Sequence, residues 1–296
     1  MPERIPVILN PAARSTQAAA RENAIRSLSP APELVLTSGP GQATELAERL
    51  AREGHPLIVA AGGDGTMNEV LQGICRVNAE RPPGEKHTAL GVLPVGTMNV
   101  FSLELGLPSQ DITACWRQIS SGDRKEIDLW MANQQYFVQL AGVGFDAEII
   151  QETSWESKKR FGPLSYVMSA AQVLTRKPPL LSVHVEGRPA LHGSVVLVGA
   201  GRHYGGPVPV FPKASNQDGL LDVLIFRGLG GWEFAQMLRA ILEGGYEPAE
   251  DIDYLQLRDF TVTAEPQAPL EVDGELAGEG TPVLFQPAPF RLQIAV

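Results

Sequence analysis

The stretch Leu57-Ile58-Val59-Ala60-Ala61-Gly62-Gly63-Asp64-Gly65-Thr66-Met67-Asn68-Glu69-Val70 limits what this chain can fold into more than any other. Its first half is an apolar, β-prone run that predicts a buried strand. Met67, Val70, Leu71 and Ile74 then recur at helical spacing. Three glycines and one aspartate fill the corner between strand and helix. A turn nearly bare of side chains lets a bulky anion approach the backbone, where the N–H groups opening the helix and the positive end of its macrodipole face it. Glycine in such a corner can also serve only to admit positive φ. Asp64 favours a polyphosphate cradle, because a carboxylate facing phosphate is repulsive unless Mg²⁺ lies between them.

The flanking sequence repeats the pattern. Ile5–Asn10 reads as a strand running into Pro11, and the alanine-rich stretch from Ser15 to Leu28 as a helix capped by Ser15 or Thr16. Glu33–Thr37 reads as a second strand, followed by a helical face of Ala43, Leu46, Ala47 and Leu50. After the glycine turn, a polar loop from Asn78 to His87 leads to a strand at Ala89–Leu93 and a second small-residue turn, Pro94–Asn99. Strands separated by helices imply a parallel sheet, whose ligands collect at the strands' carboxyl ends. The tetrapeptide Gly65-Thr66-Met67-Asn68 recurs as Gly96-Thr97-Met98-Asn99, each copy after an apolar strand. Both turns are therefore expected to converge on phosphate at one sheet edge.

Composition bounds the rest. The 296 residues and 44% hydrophobic content suffice for two domains with sizeable cores. A net charge of -10 argues against nucleic acid as a partner, which would require a basic face. Cys75 and Cys115 form neither a disulfide framework nor a metal cluster and read as reduced structural thiols. The N-terminus lacks a signal-peptide pattern and no stretch has the length of a membrane span, so a cytoplasmic protein is expected.

Gly62–Val70, Leu90–Asn99 and the following Leu105-Gly106-Leu107-Pro108 resemble the diacylglycerol kinase and sphingosine kinase catalytic family, its bacterial lipid kinases above all; the more distant NAD kinases share the glycine motif. The resemblance spans nearly the whole chain. It implies an N-terminal three-layer α/β nucleotide-binding domain of NAD-kinase type and ATP-dependent phosphate transfer to a lipid hydroxyl of diacylglycerol, phosphatidylglycerol or sphingoid type. It implies nucleotide contacts at Thr37, at Gly63, Asp64, Gly65, Thr66, Met67, Asn68 and Glu69, and at Thr97; the residue pattern itself adds Gly96. Two positions depart from the family. Asn10-Pro11-Ala12-Ala13-Arg14 stands where Asn-Pro-x-Ser-Gly is common, and Val100 where an acidic or amide residue often follows the second Thr-x-Asn. No Gly-x-x-x-x-Gly-Lys-Ser/Thr and no His-Arg-Asp loop occurs.

A helix is expected over Asp111–Ser120. Beyond residue 125, short β-rich runs at Ile127–Met131, Tyr136–Ala141, Leu181–Glu186, Ser194–Val198, Leu220–Phe226, Leu255–Val262 and Leu270–Asp273 predict an antiparallel β-sandwich. The expected domains are 1–125 and 126–289, with the family likeness returning 290–296 to the first. Asp273 and Glu275 flank Gly274 at the end of an apolar strand, on one side of a chain read as extended, with a solvated acidic hairpin as the alternative reading. The likeness puts the proton acceptor here, with Glu275 as base and Asp273 orienting it or binding Mg²⁺. By the same likeness, a second, structural Mg²⁺ or Ca²⁺ is held by Asp218 and the carbonyls of Ser215 and Leu220.

A lipid acceptor requires transient contact with the inner face of a membrane. Trp155, Lys158, Lys159, Arg160 and Phe161 precede a helical pattern (Tyr166, Val167, Ala170, Leu174) and suit such contact, at about 1 kcal/mol for each basic residue near an anionic leaflet, though an ordinary solvated surface accounts for them equally well. The stripe Phe234, Met237, Leu238, Ile241 and Leu242 reads as core. Arg202 is a weak candidate for phosphate neutralisation, and His184, His192 and His203 read as structural. Two other functions are compatible with the sequence: a kinase for a soluble acceptor such as NAD, and a nucleotide- or lipid-binding protein without catalysis. Oligomeric state is left open, a homodimer included.

Overall fold

The computed structural model describes residues 4–11, 18–108, 111–144, 147–148, 178–204, 206–228, 252–278 and 280–296. The proposed Ser15 or Thr16 cap, Ala12–Arg14, the Trp155–Leu174 segment and the Phe234–Leu242 stripe lie outside them. The chain divides into two compact units, residues 1–129 with 288–296, and residues 130–287.

The first unit contains β1 (Pro6–Leu9), α1 (Ala18–Arg26), β2 (Glu33–Leu36), α2 (Gln42–Arg52), β3 (Leu57–Gly62), α3 (Asp64–Glu80), β4 (Ala89–Pro94), α4 (Val100–Glu104), α5 (Ile112–Ser120) and β5 (Arg124–Ile127). The chain's last strand, Leu292–Ala295, completes a six-stranded sheet in the order β2, β1, β3, β4, last strand, β5. All neighbours pair in parallel except β5, which is antiparallel to the last strand. β3 and β4 are buried at every position, as strands covered on both faces must be. Right-handed crossovers set the layers. From β2 to β3 and from β3 to β4 the chain moves the same way across the sheet, so α2 and α3 share one face and pack together. From β1 to β2 it moves the other way, which puts α1 on the opposite face. There Trp116 of α5 joins it, its Nε1 donating to the Pro30 carbonyl at 2.9 Å. The reversal lies between β1 and β3, the place where open α/β sheets leave a crevice at their carboxyl ends.

Helix α3 runs three residues into the stretch expected to be loop. Asn78 is buried; its Nδ2 donates to the Thr88 carbonyl and its Oδ1 accepts from the Thr88 N–H, at 3.0 and 2.9 Å, so the last turn is anchored across the loop before Arg81-Pro82-Pro83 ends it. Helix α5 starts where Asp111 accepts from the Thr113 and Ala114 N–H groups, both at 2.9 Å. Cys75 and Cys115 are buried, and burial pushes both thiols up, Cys115 to about 12. Among the described residues, no helix is long and apolar enough to cross a membrane.

The second unit contains β6 (Trp130–Ala132), β7 (Gln135–Phe137), β8 (Leu140–Gly144), β9 (Leu180–His184), β10 (Leu191–Gly193), β11 (Val195–Gly199), β12 (His203–Tyr204), β13 (Val208–Pro209), β14 (Leu221–Phe226), β15 (Ile252–Leu257), β16 (Phe260–Glu265), β17 (Leu270–Val272), β18 (Glu275–Leu276) and β19 (Val283–Pro287). The chain's last strand is thus β20. Two six-stranded antiparallel sheets form, in the orders β10-β9-β16-β19-β6-β7 and β15-β14-β11-β8-β17-β18. Between them lies a core of Trp130, Phe137, Val143, Leu181, Val196, Val223, Phe260 and Phe285. This is the antiparallel sandwich that the β-rich runs predicted. Three of those runs are broken in the structure. Ile127–Met131 ends β5 and begins β6, Tyr136–Ala141 splits into β7 and β8, and Leu255–Val262 into β15 and β16.

Candidate active site

The carboxyl ends of β3 and β4 are level, Gly62 pairing with Pro94, so the turns that follow them emerge side by side. They meet backbone to backbone. A Cβ built on Gly96 would stand 2.3 Å from the Gly63 Cα and 2.9 Å from its nitrogen, and one on Gly62 would overlap the Thr66 side chain at 2.4 Å. The glycines are thus required by the approach of the two turns and by the buried Thr66. The first N–H groups of a helix have no intrahelical partner, and Gly63, the N-cap of α3, brings no side chain to take them. Gly96→Ala is expected to cost about 1–3 kcal/mol of stability by overpacking and to displace Gly63, weakening nucleotide binding. Thermal melts and an ATP titration check both; a wild-type melting temperature would contradict the contact.

The repeated tetrapeptide does not repeat its structure. Its first copy lies inside α3, with Thr66 and Asn68 buried and the Gln72 Nε2 donating to the Asn68 Oδ1 at 2.9 Å. In the second, Asn99 adopts φ 50 and closes a turn, its Oδ1 accepting from the Gly96 N–H at 3.0 Å and its Nδ2 donating to the Gly96 carbonyl at 3.2 Å; Thr97 and Met98 are exposed. Convergence therefore holds for the glycines, while the two threonines and the two asparagines occupy different environments.

Asp64 opens α3 and is half-buried. Burial pushes its carboxyl above the ordinary value, and the N–H groups of Phe101, Val100, Asp64 itself and Asn99 oppose that shift. Asp64 thus joins the first turn of α3 to the start of α4, a helix the sequence reading left out. Val100, the departure from the family pattern, is buried and faces Asp64 through its backbone N–H. Thr37, just past β2, is buried, with its N–H donating to the Leu9 carbonyl at 3.0 Å. Glu69 has both carboxylate oxygens on the first turn of α2, accepting from Gly41 and Ala43 at 2.9 and 3.0 Å.

In the second unit the Asp-Gly-Glu segment is not extended. Val272 pairs with Glu275 across β17 and β18, and Asp273 and Gly274 have φ 48 and 88, a two-residue hairpin turn with both central residues left-handed. The chain reverses, so Asp273 and Glu275 do not share one side of a strand. Asp273 is buried: its Oδ1 accepts from Gln139 and Leu140, both at 3.0 Å, and its Oδ2 from Val138 at 3.2 Å. This clamp is why the Tyr136–Ala141 run breaks in two. Glu275 is exposed. Glu271, which the sequence reading passed over, is fully buried and its Oε2 accepts from the Gly274 N–H at 3.0 Å, bracing the turn. A glutamate between Leu270 and Val272 in an apolar run was the signal. Asp273→Ala is expected to leave three buried N–H donors without their acceptor and to lower stability by about 3 kcal/mol, with Asp273→Asn milder; urea unfolding measures it, and equal midpoints would contradict the clamp.

The Ser215–Leu220 loop bends at Gly219, φ 73, with the Asp218 Oδ1 accepting from the Leu220 N–H at 3.0 Å. Asp222, close by, is fully buried; burial pushes its carboxyl up, hydrogen bonds from Tyr254 and Gln256 pull it down, and Asp218 pushes it up again. Among the described residues no group of three or more His, Cys, Asp or Glu side chains gathers into a metal cluster. The Arg202 Nη2 donates to the Pro212 carbonyl at 3.1 Å, and His184 and His192 bond to Thr263 and Ser182 on an exposed sheet face.

A sheet whose glycine turns abut at its carboxyl edge, together with a separate β-sandwich unit, defines a protein of NAD-kinase-like fold. The family model of the diacylglycerol kinase catalytic domain matches residues 4–132, and that of the YegS C-terminal NAD kinase beta sandwich-like domain matches residues 139–296. The chain is 31% identical over 245 residues to a diacylglycerol kinase of Bacillus subtilis, covering 82% of this chain and 78% of the relative. It is 29% identical over 246 residues to one of Staphylococcus carnosus, with the same coverage. Among solved structures, a chain assigned as a diacylglycerol kinase from Bacillus anthracis superposes with TM-score 0.79 at 24% identity, covering 99% of this chain and 97% of that one. An NAD kinase from Archaeoglobus fulgidus, solved with ATP, superposes at 0.50 and 14%, covering 99% and 94%. This chain belongs to the diacylglycerol kinase catalytic family and is, at the level of that family, a lipid kinase.

Proposed function

We propose that the chain transfers the γ-phosphate of ATP to a hydroxyl of a membrane lipid, of diacylglycerol, phosphatidylglycerol or sphingoid type. The observation that carries this reading is the backbone contact of Gly63 with Gly96, an approach that a side chain on Gly96 would block, beside the opening N–H groups of α3. The nucleotide is assigned to Thr37, Gly63, Asp64, Gly65, Thr66, Met67, Asn68, Gly96 and Thr97; Glu69, which the family likeness groups with them, has its carboxylate on the first turn of α2. Little covalent chemistry is asked of the protein: the lipid oxygen forms a bond to the γ-phosphorus, the bond to the β–γ bridging oxygen breaks, ADP leaves, and the hydroxyl proton passes to Glu275.

Mg²⁺ would be held at Asp64, whose carboxylate offers the oxygen donors that a hard cation takes, and when bound with ATP it supplies neutralisation of phosphate charge. Asp64 itself orients the first turn of α3 against α4 through the Asn99–Phe101 N–H groups. Asp273, with its oxygens on three backbone N–H groups, acts by fixing the turn that presents Glu275. For the second cation, the carboxylate of Asp218 and the carbonyls of Ser215 and Leu220 form an oxygen-only donor set that suits Mg²⁺ or Ca²⁺, and a bound cation would offset the proximity of Asp218 to Asp222. Transient contact with a membrane surface in the cytoplasm follows from the choice of acceptor.

Incubation with γ-labelled ATP, Mg²⁺ and a total lipid extract tests the reading, with label expected in a lipid. Label transferred to NAD or another soluble alcohol in preference to lipid would shift the assignment to a soluble acceptor. Absence of transfer to either would support a binding protein instead.

A further inference from the structure

We propose that Glu69 is a positioning residue that fixes the loop after β2 against the glycine turn opening α3; this rests on the assignment of Thr37 and the Gly63 turn to ATP. Helix α2 begins at Gly41, φ 79, which has no side chain to cap it. The cap comes from the next helix. The Glu69 Oε1 accepts from the Gly41 N–H at 2.9 Å and its Oε2 from the Ala43 N–H at 3.0 Å, so the carboxylate sits on the positive end of the α2 macrodipole. The Glu69 carbonyl accepts from the Thr44 Oγ1 at 2.9 Å. One turn further along α3, a Cβ on Gly73 would stand 2.4 Å from the Thr44 carbonyl oxygen and 2.7 Å from the Ala47 Cβ, so the helices are in backbone contact and cannot slide.

The loop between β2 and α2 is pinned at its other end too. The Thr37 N–H donates to the Leu9 carbonyl at 3.0 Å, and the Ser38 N–H to the Gln42 side chain. Glu69 follows Asp64 by five residues on the same helix, about 7.5 Å along its axis. One rigid helix therefore carries the phosphate turn at its start and, through Glu69, sets where the Thr37 loop stands. A carboxylate aimed at a triphosphate would repel it unless a cation lay between them. Aimed at the N-terminus of α2, it is stabilised instead.

The test uses the full chain with ATP and Mg²⁺, comparing wild type, Glu69→Gln and Thr44→Val by calorimetry and steady-state kinetics. Glutamine keeps one acceptor but presents an NH₂ to the second backbone N–H, so one of the two bonds is lost. Glu69→Gln is expected to raise Kd and KM for ATP about ten-fold, the effect of one charge-assisted hydrogen bond, with kcat within about two-fold and the lipid KM unchanged. Hydrogen exchange in residues 38–44 should quicken. Thr44→Val loosens the same helix pair without touching the Gly41 and Ala43 N–H groups; it should lower the melting temperature and leave the ATP KM alone. A folded Glu69→Gln protein with wild-type ATP affinity, a fall confined to kcat, or an equal ATP defect in Thr44→Val would each overturn the proposal. The wild-type arm judges the underlying assignment separately: no ATP binding there would overturn the nucleotide reading and the proposal with it.

Discussion

Glu275→Gln is expected to slow phosphate transfer by about 10²–10⁴-fold, the range for loss of a general base, with ATP affinity and melting temperature unchanged. The side chain is exposed at the start of the short edge strand β18. The turn that presents it is held by other residues, Asp273 on the Val138, Gln139 and Leu140 N–H groups and Glu271 on that of Gly274. Activity and stability should therefore separate cleanly at this position. Single-turnover transfer from labelled ATP measures the first and a thermal melt the second. Transfer within about ten-fold of wild type would move the proton acceptor elsewhere.

Asp64→Asn is expected to abolish measurable transfer and at the same time to stabilise the fold at neutral pH. The sign follows from its environment. Burial raises the folded-state value of this carboxyl above its ordinary 3.8, against the pull of the Phe101, Val100 and Asn99 N–H groups. The folded state therefore holds the proton more tightly than the unfolded chain does. Stability on this account is greatest below pH 3.8, declines as pH rises from there through the folded value, and stays lower above it. Asparagine carries no charge to desolvate, so its advantage in melting temperature should be present at pH 7 and vanish below about pH 4. A variant equally stable at both pH values would show that the carboxylate is not penalised where it sits, and a fully active one that it does not serve the transfer.

The parallel unit was legible because its signals are local. Buried strands read as apolar runs, the glycine corner has few other uses, and helix starts carry caps such as Asp111. What escaped depended on contacts distant in sequence. Two identical tetrapeptides fold differently because the first lies in a helix anchored by Gln72 and the second closes on itself through Asn99. Asp273-Gly274 between β-prone residues is a hairpin signal, yet reading the run as extended put its two carboxylates on one side. The role of Asp273 lies in N–H groups more than 130 residues earlier, which no spacing reveals. Glu69 stands inside the glycine motif, and no spacing reveals that its carboxylate accepts from the Gly41 and Ala43 N–H groups. Helix α4 was missed because five residues give little periodicity, and its start leans on Asp64.

A crystal structure of the protein with a non-hydrolysable ATP analogue and Mg²⁺ tests the central claim most directly. The account predicts phosphate oxygens within hydrogen-bond distance of the backbone N–H groups that open α3, over the contact between Gly63 and Gly96. A nucleotide whose phosphates bind elsewhere, with that corner left to water, would contradict it.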